Sequence, residues 1–391
     1  MNLNRRQFAA SLAAFAATPL AARAQELKFD VNKHRDSGQT IPISLSGFTG
    51  EVAAALRFDL EVAGCTVVGP ESAVVLVHGT NGARLEGFVS DRQKNYLLSK
   101  AYNGAGQRQL AHAFADDVIL ALTQTRGIAQ TRVAFKLKAP NNTGEVFVAD
   151  YDGHGVQPVT ADRAIIAAPS WGPGSQWLAY TSYKLGNADI FSHNLTTGER
   201  HIVARYGGSN LSPAVAPGGR LVAMVLSKGG KPDLYVADIH GRGLQQLTRS
   251  REGASSPCWS PDGQSICYVS SDDGSPQLYR IGANGGAPQR IRTVGVYNAT
   301  EPDWSPDGKT IAFTTQRGGG FEICTVPAGG GDAQSLVSGQ DATWAPNSRT
   351  LMFCKRGRGG PLSLSLLDVP TKRVKDVPLN LGNCSQPTWA R

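Results

Sequence analysis

The sequence predicts a small α/β N-terminal domain followed by a six-bladed β-propeller closed by pairing of its two ends. Three observations carry that prediction. An element of the form Trp-x-Pro-x-Gly recurs through the last two thirds of the 391-residue chain at intervals of 40 to 45 residues, from Trp171 through Val215, Trp259, Trp304 and Trp344 to Trp389. Short apolar strands follow each copy at fixed offsets, four strands per period, which is the content of one propeller blade. The region before the repeats has a different, mixed periodicity. The 45 Gly and 22 Pro fit this reading, because breakers at that density imply tight turns and short elements.

Residues 1–24 read as a cleaved signal peptide. Arg5-Arg6-Gln7-Phe8 supplies the charged start, Ala9 to Ala17 the apolar run, and Ala22-Arg23-Ala24 the small-residue cleavage site. The paired arginines are compatible with the twin-arginine route and with ordinary export. The apolar run is too short to span a bilayer and no later run is long enough, so a soluble periplasmic protein without a membrane span is expected. Residues 25–38 form a polar tail.

Within 39–130, Ile41-Pro42-Ile43-Ser44-Leu45 alternates as a strand. Val52, Leu56 and Leu60 share one face of a helix over 51–63. Strands are predicted at 73–77, 85–89 and 96–102, and a second helix over 107–125 carries Leu110, Phe114, Val118 and Leu122 at i, i+4 spacing.

The propeller is predicted over 131–391. Its clearest repeats are Trp259-Ser260-Pro261-Asp262-Gly263 and Trp304-Ser305-Pro306-Asp307-Gly308. Second strands follow at Leu178-Ala179-Tyr180, Leu221-Val222-Ala223, Ile266-Cys267-Tyr268, Ile311-Ala312-Phe313 and Leu351-Met352-Phe353. Val133-Ala134-Phe135 lies one period earlier with no Trp element upstream, while the sequence stops just after Trp389 with no strand following it. Each orphan completes the other: the C-terminal strand joins the first blade, and the ring shuts without an open edge. Regularly spaced Trp residues are expected to pack between blades, and Pro-Asp-Gly to turn the chain.

Six cysteines remain after the signal, none in Cys-x-x-Cys spacing, so no zinc site or thioredoxin-like pair is indicated. Cys258 and Cys267 flank a Pro-Asp-Gly turn, as a cross-strand disulfide or as two small buried thiols. The formal charge is +8. Without Arg5, Arg6 and Arg23 it becomes 36 basic against 31 acidic residues, +5. That mild excess, with no basic and aromatic stripe, speaks against nucleic acid. No Gly-x-Ser-x-Gly elbow, His-Glu-x-x-His helix or phosphate loop occurs, and no complete calcium loop. No enzyme activity, cofactor or metal is therefore expected, and Asp116-Asp117 is read as a solvated pair on a helix. The competing class is an exported propeller lyase or hydrolase acting on carbohydrate, with Trp or His in its channel. A scaffold for an unrelated envelope partner is the third.

The whole arrangement resembles one family. The export signal, Asp36-Ser37-Gly38, Ile41-Pro42-Ile43, Thr131-Arg132-Val133-Ala134-Phe135, Val148-Ala149-Asp150-Tyr151-Asp152-Gly153 and Gly285-Gly286-Ala287-Pro288-Gln289-Arg290-Ile291 look like TolB, the periplasmic component of the Tol-Pal system. The resemblance covers the mature chain, with a shorter N-terminal domain and eroded repeats at Val215 and Trp344. It implies a monomeric, non-catalytic adaptor serving outer-membrane integrity and cell division. Pal, the peptidoglycan-associated lipoprotein, would bind the propeller rim just before each repeat Trp, at Ser209, Asn210, Ser212, Ser255, Ser256, Thr300 and Glu301. TolA would take the N-terminal tail, at Phe29, Val31, Asp36 and Ser37, adding it as a strand to a sheet edge. Pal binding and tail exposure would be coupled free energies.

Overall fold

The computed structural model describes residues 31, 34 and 38–391, apart from 105, 358, 359 and 380. The signal peptide, and Phe29, Asp36 and Ser37 of the tail, lie outside the described residues. The chain divides into two units, Met1–Ala129 and Gln130–Arg391.

The first unit is built from β1 (Ile41–Ser46), α1 (Gly50–Val62), β2 (Cys65–Val67), β3 (Val75–Asn81), β4 (Leu85–Ser90), β5 (Tyr96–Tyr102) and α2 (Gln107–Thr123). Its sheet runs β2-β1-β3-β4-β5. β1 is parallel to β2 and β3, and the β3-β4-β5 meander is antiparallel. The helices bury the predicted stripes, Val52, Leu56 and Leu60 on α1 and Leu110, Phe114, Val118 and Leu122 on α2. At Gly87 a Cβ would stand 2.4 Å from the Phe114 ring, so glycine there admits the aromatic to the sheet. His112 Nδ1 of α2 meets Asp59 Oδ2 of α1 at 2.7 Å, both buried. Asp116 and Asp117 are not simply solvated. Asp116 accepts the Ala129 N–H at 2.8 Å, and Asp117 accepts the Tyr102 hydroxyl at 2.6 Å and pairs with Lys100, because the residues flanking the helix bring donors to both.

The second unit is a ring of six four-stranded antiparallel sheets. Blade 1 takes its innermost strand from the C-terminus: Asn383–Trp389 pairs with Arg132–Lys138, which continues to Gly144–Asp150 and Gln157–Pro158. The predicted closure is therefore present. Innermost strands of blades 2 to 6 are Ile166–Trp171, Asn210–Val215, Ala254–Trp259, Thr300–Trp304 and Gln340–Trp344.

The repeat motif works as a self-capped turn. In blade 4, Ser260 Oγ donates to Asp262 Oδ1 and accepts the Ser265 N–H, and Asp262 also accepts the Gln264 N–H. Blade 5 repeats this with Ser305, Asp307, Lys309 and Thr310. Gly263 and Gly308 take φ of +68° and +76°, which a side chain would strain. The repeat Trp residues are 2–7% exposed. Two of them donate their indole N–H to the blade before, Trp171 to the Thr388 carbonyl at 3.1 Å and Trp259 to the Ala214 carbonyl at 2.8 Å. They fasten blade to blade, as regular spacing requires.

Candidate binding site in the propeller channel

Every innermost strand breaks its ladder at one place. The register slips beside Ala168, Ser212, Ser256, Glu301, Asp341 and Gln386. Each of these residues holds a left-handed φ between +49° and +55°. A non-glycine residue pays roughly 1–2 kcal/mol for that conformation, so six equivalent copies are a built feature, a bulge that re-aims one side chain per blade. Proline follows in five of the six, at 169, 213, 257, 302 and 387. Its missing N–H removes the donor that the bulge would otherwise strand.

The six bulges ring a cavity of about 530 Å³ along the propeller axis. Its wall has two unlike arcs. On blades 5, 6 and 1 the bulge side chains are long and polar, and they form a relay across blade boundaries. Glu301 Oε2 accepts the Asp341 N–H at 3.2 Å, Asp341 Oδ2 the Gln386 N–H at 3.1 Å, and Gln386 Oε1 the Ala168 N–H at 3.0 Å. On blades 2, 3 and 4 the equivalent residues are the small Ala168, Ser212 and Ser256. A second tier supports the relay: Asp303 accepts the Trp344 N–H at 2.6 Å and pairs with the Arg391 guanidinium. Arg391 also donates to the Trp304 and Trp344 carbonyls at 3.2 Å, so the last residue of the chain is tied into blades 5 and 6.

Burial, and secondarily the neighbouring Asp341 carboxylate, push the Glu301 carboxyl up to about 7. Near neutrality this acid is poised between a donor and an anion.

The structure separates the residues expected at the rim. Ser212, Ser256 and Glu301 line the cavity. Ser255 is exposed; Ser209 and Thr300 are partly so, with Thr300 Oγ1 donating to the Thr314 carbonyl. Asn210 is corrected: it is fully buried, and its amide bonds the Ala188 and Tyr206 carbonyls and the Tyr206 N–H, which leaves no surface for a partner. Val31 is likewise fully buried, so its side chain is withheld from a partner in this conformation. Asp341 and Gln386 join Glu301 as members of the relay. The relay is not among the sequence-based expectations, although an x-Pro-x-Trp tetrad marks four of the six bulges, at 168–171, 256–259, 301–304 and 386–389. Among the described residues, no histidine lines the cavity. His193, in blade 2, has its pKa lowered to about 4, chiefly by burial.

Comparisons with known proteins agree with this architecture. Residues 120–391 match the model of the TolB beta propeller domain. The chain is similar to the Tol-Pal system protein TolB of Aromatoleum aromaticum, at 39% identity over 29% of this chain and 26% of that protein. It is also similar to that of Polaromonas sp., at 30% identity over 44% of this chain and 48% of that protein. The matched stretches thus span about half the length of these relatives or less. A crystal structure of TolB from Acinetobacter baumannii superposes with a TM-score of 0.82 over 90% of this chain and 97% of that one, at 23% identity. The structure titled putative TolB from Agrobacterium tumefaciens superposes over 63% of this chain and 89% of that one, with a TM-score of 0.52 at 19% identity. With its repeats, its closure and its matched propeller domain, the chain belongs to the TolB β-propeller family.

Proposed function

We propose that the protein is a periplasmic, non-catalytic adaptor of the Tol-Pal type. It binds Pal at the propeller rim and TolA through the N-terminal tail, and so supports outer-membrane integrity and constriction during division. The observation that carries this reading is the division of labour among the channel residues. The repeat Trp side chains, at 2–7% exposure, are packed between blades even where Trp171, Trp259 and Trp389 border the cavity, and among the described residues no histidine lines it. What the channel presents instead is a rigid ring of bulges with small hydroxyls on one arc and carboxylates on the other. A rigid scaffold offering polar loops to a partner needs little reorganisation on binding. The rim set is Ser209, Ser212, Ser255, Ser256, Thr300 and Glu301, without the buried Asn210. The family resemblance of the whole chain supports the choice of partner.

The test is titration calorimetry of the mature chain (25–391) against the Pal protein of the same organism, beside a Ser255→Arg/Thr300→Arg variant. Saturable one-to-one binding that the variant loses, with its thermal unfolding unchanged, is the expected result. A folded wild type that does not bind overturns the Pal assignment.

A further inference from the structure

Blade 4 differs from its siblings at one register position. The residue before each repeat Trp lies directly opposite a residue of the second strand. The pairs are Thr388 with Ala134 in blade 1, Ser170 with Ala179, Ala214 with Ala223, Asp303 with Ala312, and Thr343 with Met352. In blade 4 both members are cysteine, Cys258 opposite Cys267. Residues directly opposite in an antiparallel pair have Cα atoms about 4.5–5.5 Å apart, inside the span of about 4.4–6.8 Å that a disulfide bridges. The neighbouring Cys267 thiol, together with burial, holds the Cys258 thiol well above the usual thiol range.

We propose that Cys258 and Cys267 form a cross-strand disulfide that fixes the wall of the channel beside the binding rim. The cross-link needs an oxidant of the thiol–disulfide exchange class, a protein disulfide or oxidised glutathione. Two S–H bonds break and one S–S bond forms. Two electrons reduce the oxidant's disulfide, and the two protons end on its thiols. One thiolate of the pair attacks the oxidant to give a mixed disulfide, and the other then displaces the oxidant's remaining thiol. Burial of both side chains keeps an oxidant from reaching them once packed, so the exchange belongs to the folding of the blade. Its place gives it a consequence. The register slip between Ser255 and Cys258 ends at the cross-linked residue, so the disulfide anchors the bulge that carries Ser256 to the strand behind it. The inference rests on the exported reading only for where in the cell oxidation occurs.

The purified full chain is reduced in denaturant and refolded in a reduced/oxidised glutathione buffer. It is then acid-quenched and alkylated under denaturing conditions without reductant. The expected result is that two of the six thiols are protected, that the proteolytic map joins Cys258 to Cys267, and that the bridged form unfolds at higher denaturant than the reduced form. The Cys258→Ala/Cys267→Ala variant copies the Ala214/Ala223 pair of blade 3 and so keeps its packing; it should show no protected thiol. Alkylation of all six cysteines in the refolded wild type, or protection that maps elsewhere, overturns the proposal. Because the experiment uses purified protein, its failure is separate from failure of the periplasmic reading, which cell fractionation decides.

Discussion

Replacing Glu301 by Gln tests the channel relay through its proton. In the folded protein the carboxyl is raised from 4.5 to about 7, first by burial and then by Asp341. A carboxyl with a raised folded pKa stabilises the native state fully below its unfolded value of 4.5. That contribution is lost as the pH climbs through 7. At about 1.36 kcal/mol per pH unit, the loss between pH 4 and pH 8 is about 3 kcal/mol for this group. For a unit the size of the propeller, that is roughly 6–12 °C of melting temperature. Gln is the near-isostere of the protonated acid. Its carbonyl can accept the Asp341 N–H that Glu301 Oε2 now accepts at 3.2 Å, and it cannot ionise.

Glu301→Gln should therefore match the wild type near pH 4 and exceed it progressively up to pH 8, by about 3 kcal/mol at the top. The assay is urea unfolding of both proteins at half-unit pH steps, read as the difference between their free energies. His193 contributes the opposite slope, because a folded pKa lowered to about 4 costs stability as the pH falls below its ordinary 6.5. That slope is the same in both proteins and cancels in the difference. Parallel curves, with no widening gap between pH 5 and 8, would refute the argument that the acid is buried against a second carboxylate.

Three further outcomes follow from the packing. Removing residues 389–391 deletes a buried Trp whose indole donates to Thr131 at 2.8 Å, and the Arg391–Asp303 pair, at the strand that shuts the ring; calorimetry should show the cooperative propeller transition lost or broadened. Trp259→Ala should cost about 3–5 kcal/mol in chemical denaturation, because it empties an inter-blade site and strands the Ala214 carbonyl; a cost below about 1 kcal/mol would contradict the packing role. Gly87→Ala drives a methyl into the Phe114 ring and should cost the N-terminal unit about 1–3 kcal/mol, measured by hydrogen exchange in α2, while exchange in the propeller stays unchanged.

The propeller was legible because each physical requirement repeats. An inter-blade Trp, a turn with proline and a φ-positive glycine, and an apolar second strand recur at one period, so noise at a single copy, as at Val215, does not hide the pattern. The predicted helices ended within two residues of the observed ones, since amphipathic stripes fix a helix better than its termini. The short strand Cys65–Val67 had too few residues to alternate. The bulges were harder, because the left-handed φ at Ser256 and Glu301 is one that neither residue type favours. Asn210 was misplaced because polarity and position recommend it for the surface, and only the turn at Tyr206, whose backbone its amide satisfies, takes it inside.

The asymmetry of the channel bears on how a partner would engage it. Glu301, Asp341 and Gln386 already spend acceptors on backbone N–H groups of the next blade, so a ligand competing for them must replace hydrogen bonds that hold three blade boundaries. Breaking a buried bond without replacement costs about 1–3 kcal/mol, which makes that arc poor ground for contact. Ala168, Ser212 and Ser256 line the other arc with short side chains. An inserted segment therefore gains most against blades 2 to 4, with Glu301 at the border as a charge that adjusts with pH. Below pH 7 that carboxyl can donate to a partner carbonyl; above it, ionised, it favours a cationic group. Under the proposed Pal-binding role, calorimetric affinity for Pal measured at pH 6 and pH 8, in wild type and in Glu301→Gln, should thus be pH-dependent in the first protein and lose that part of its dependence in the second. Equal pH dependence in both would place the contact surface away from Glu301.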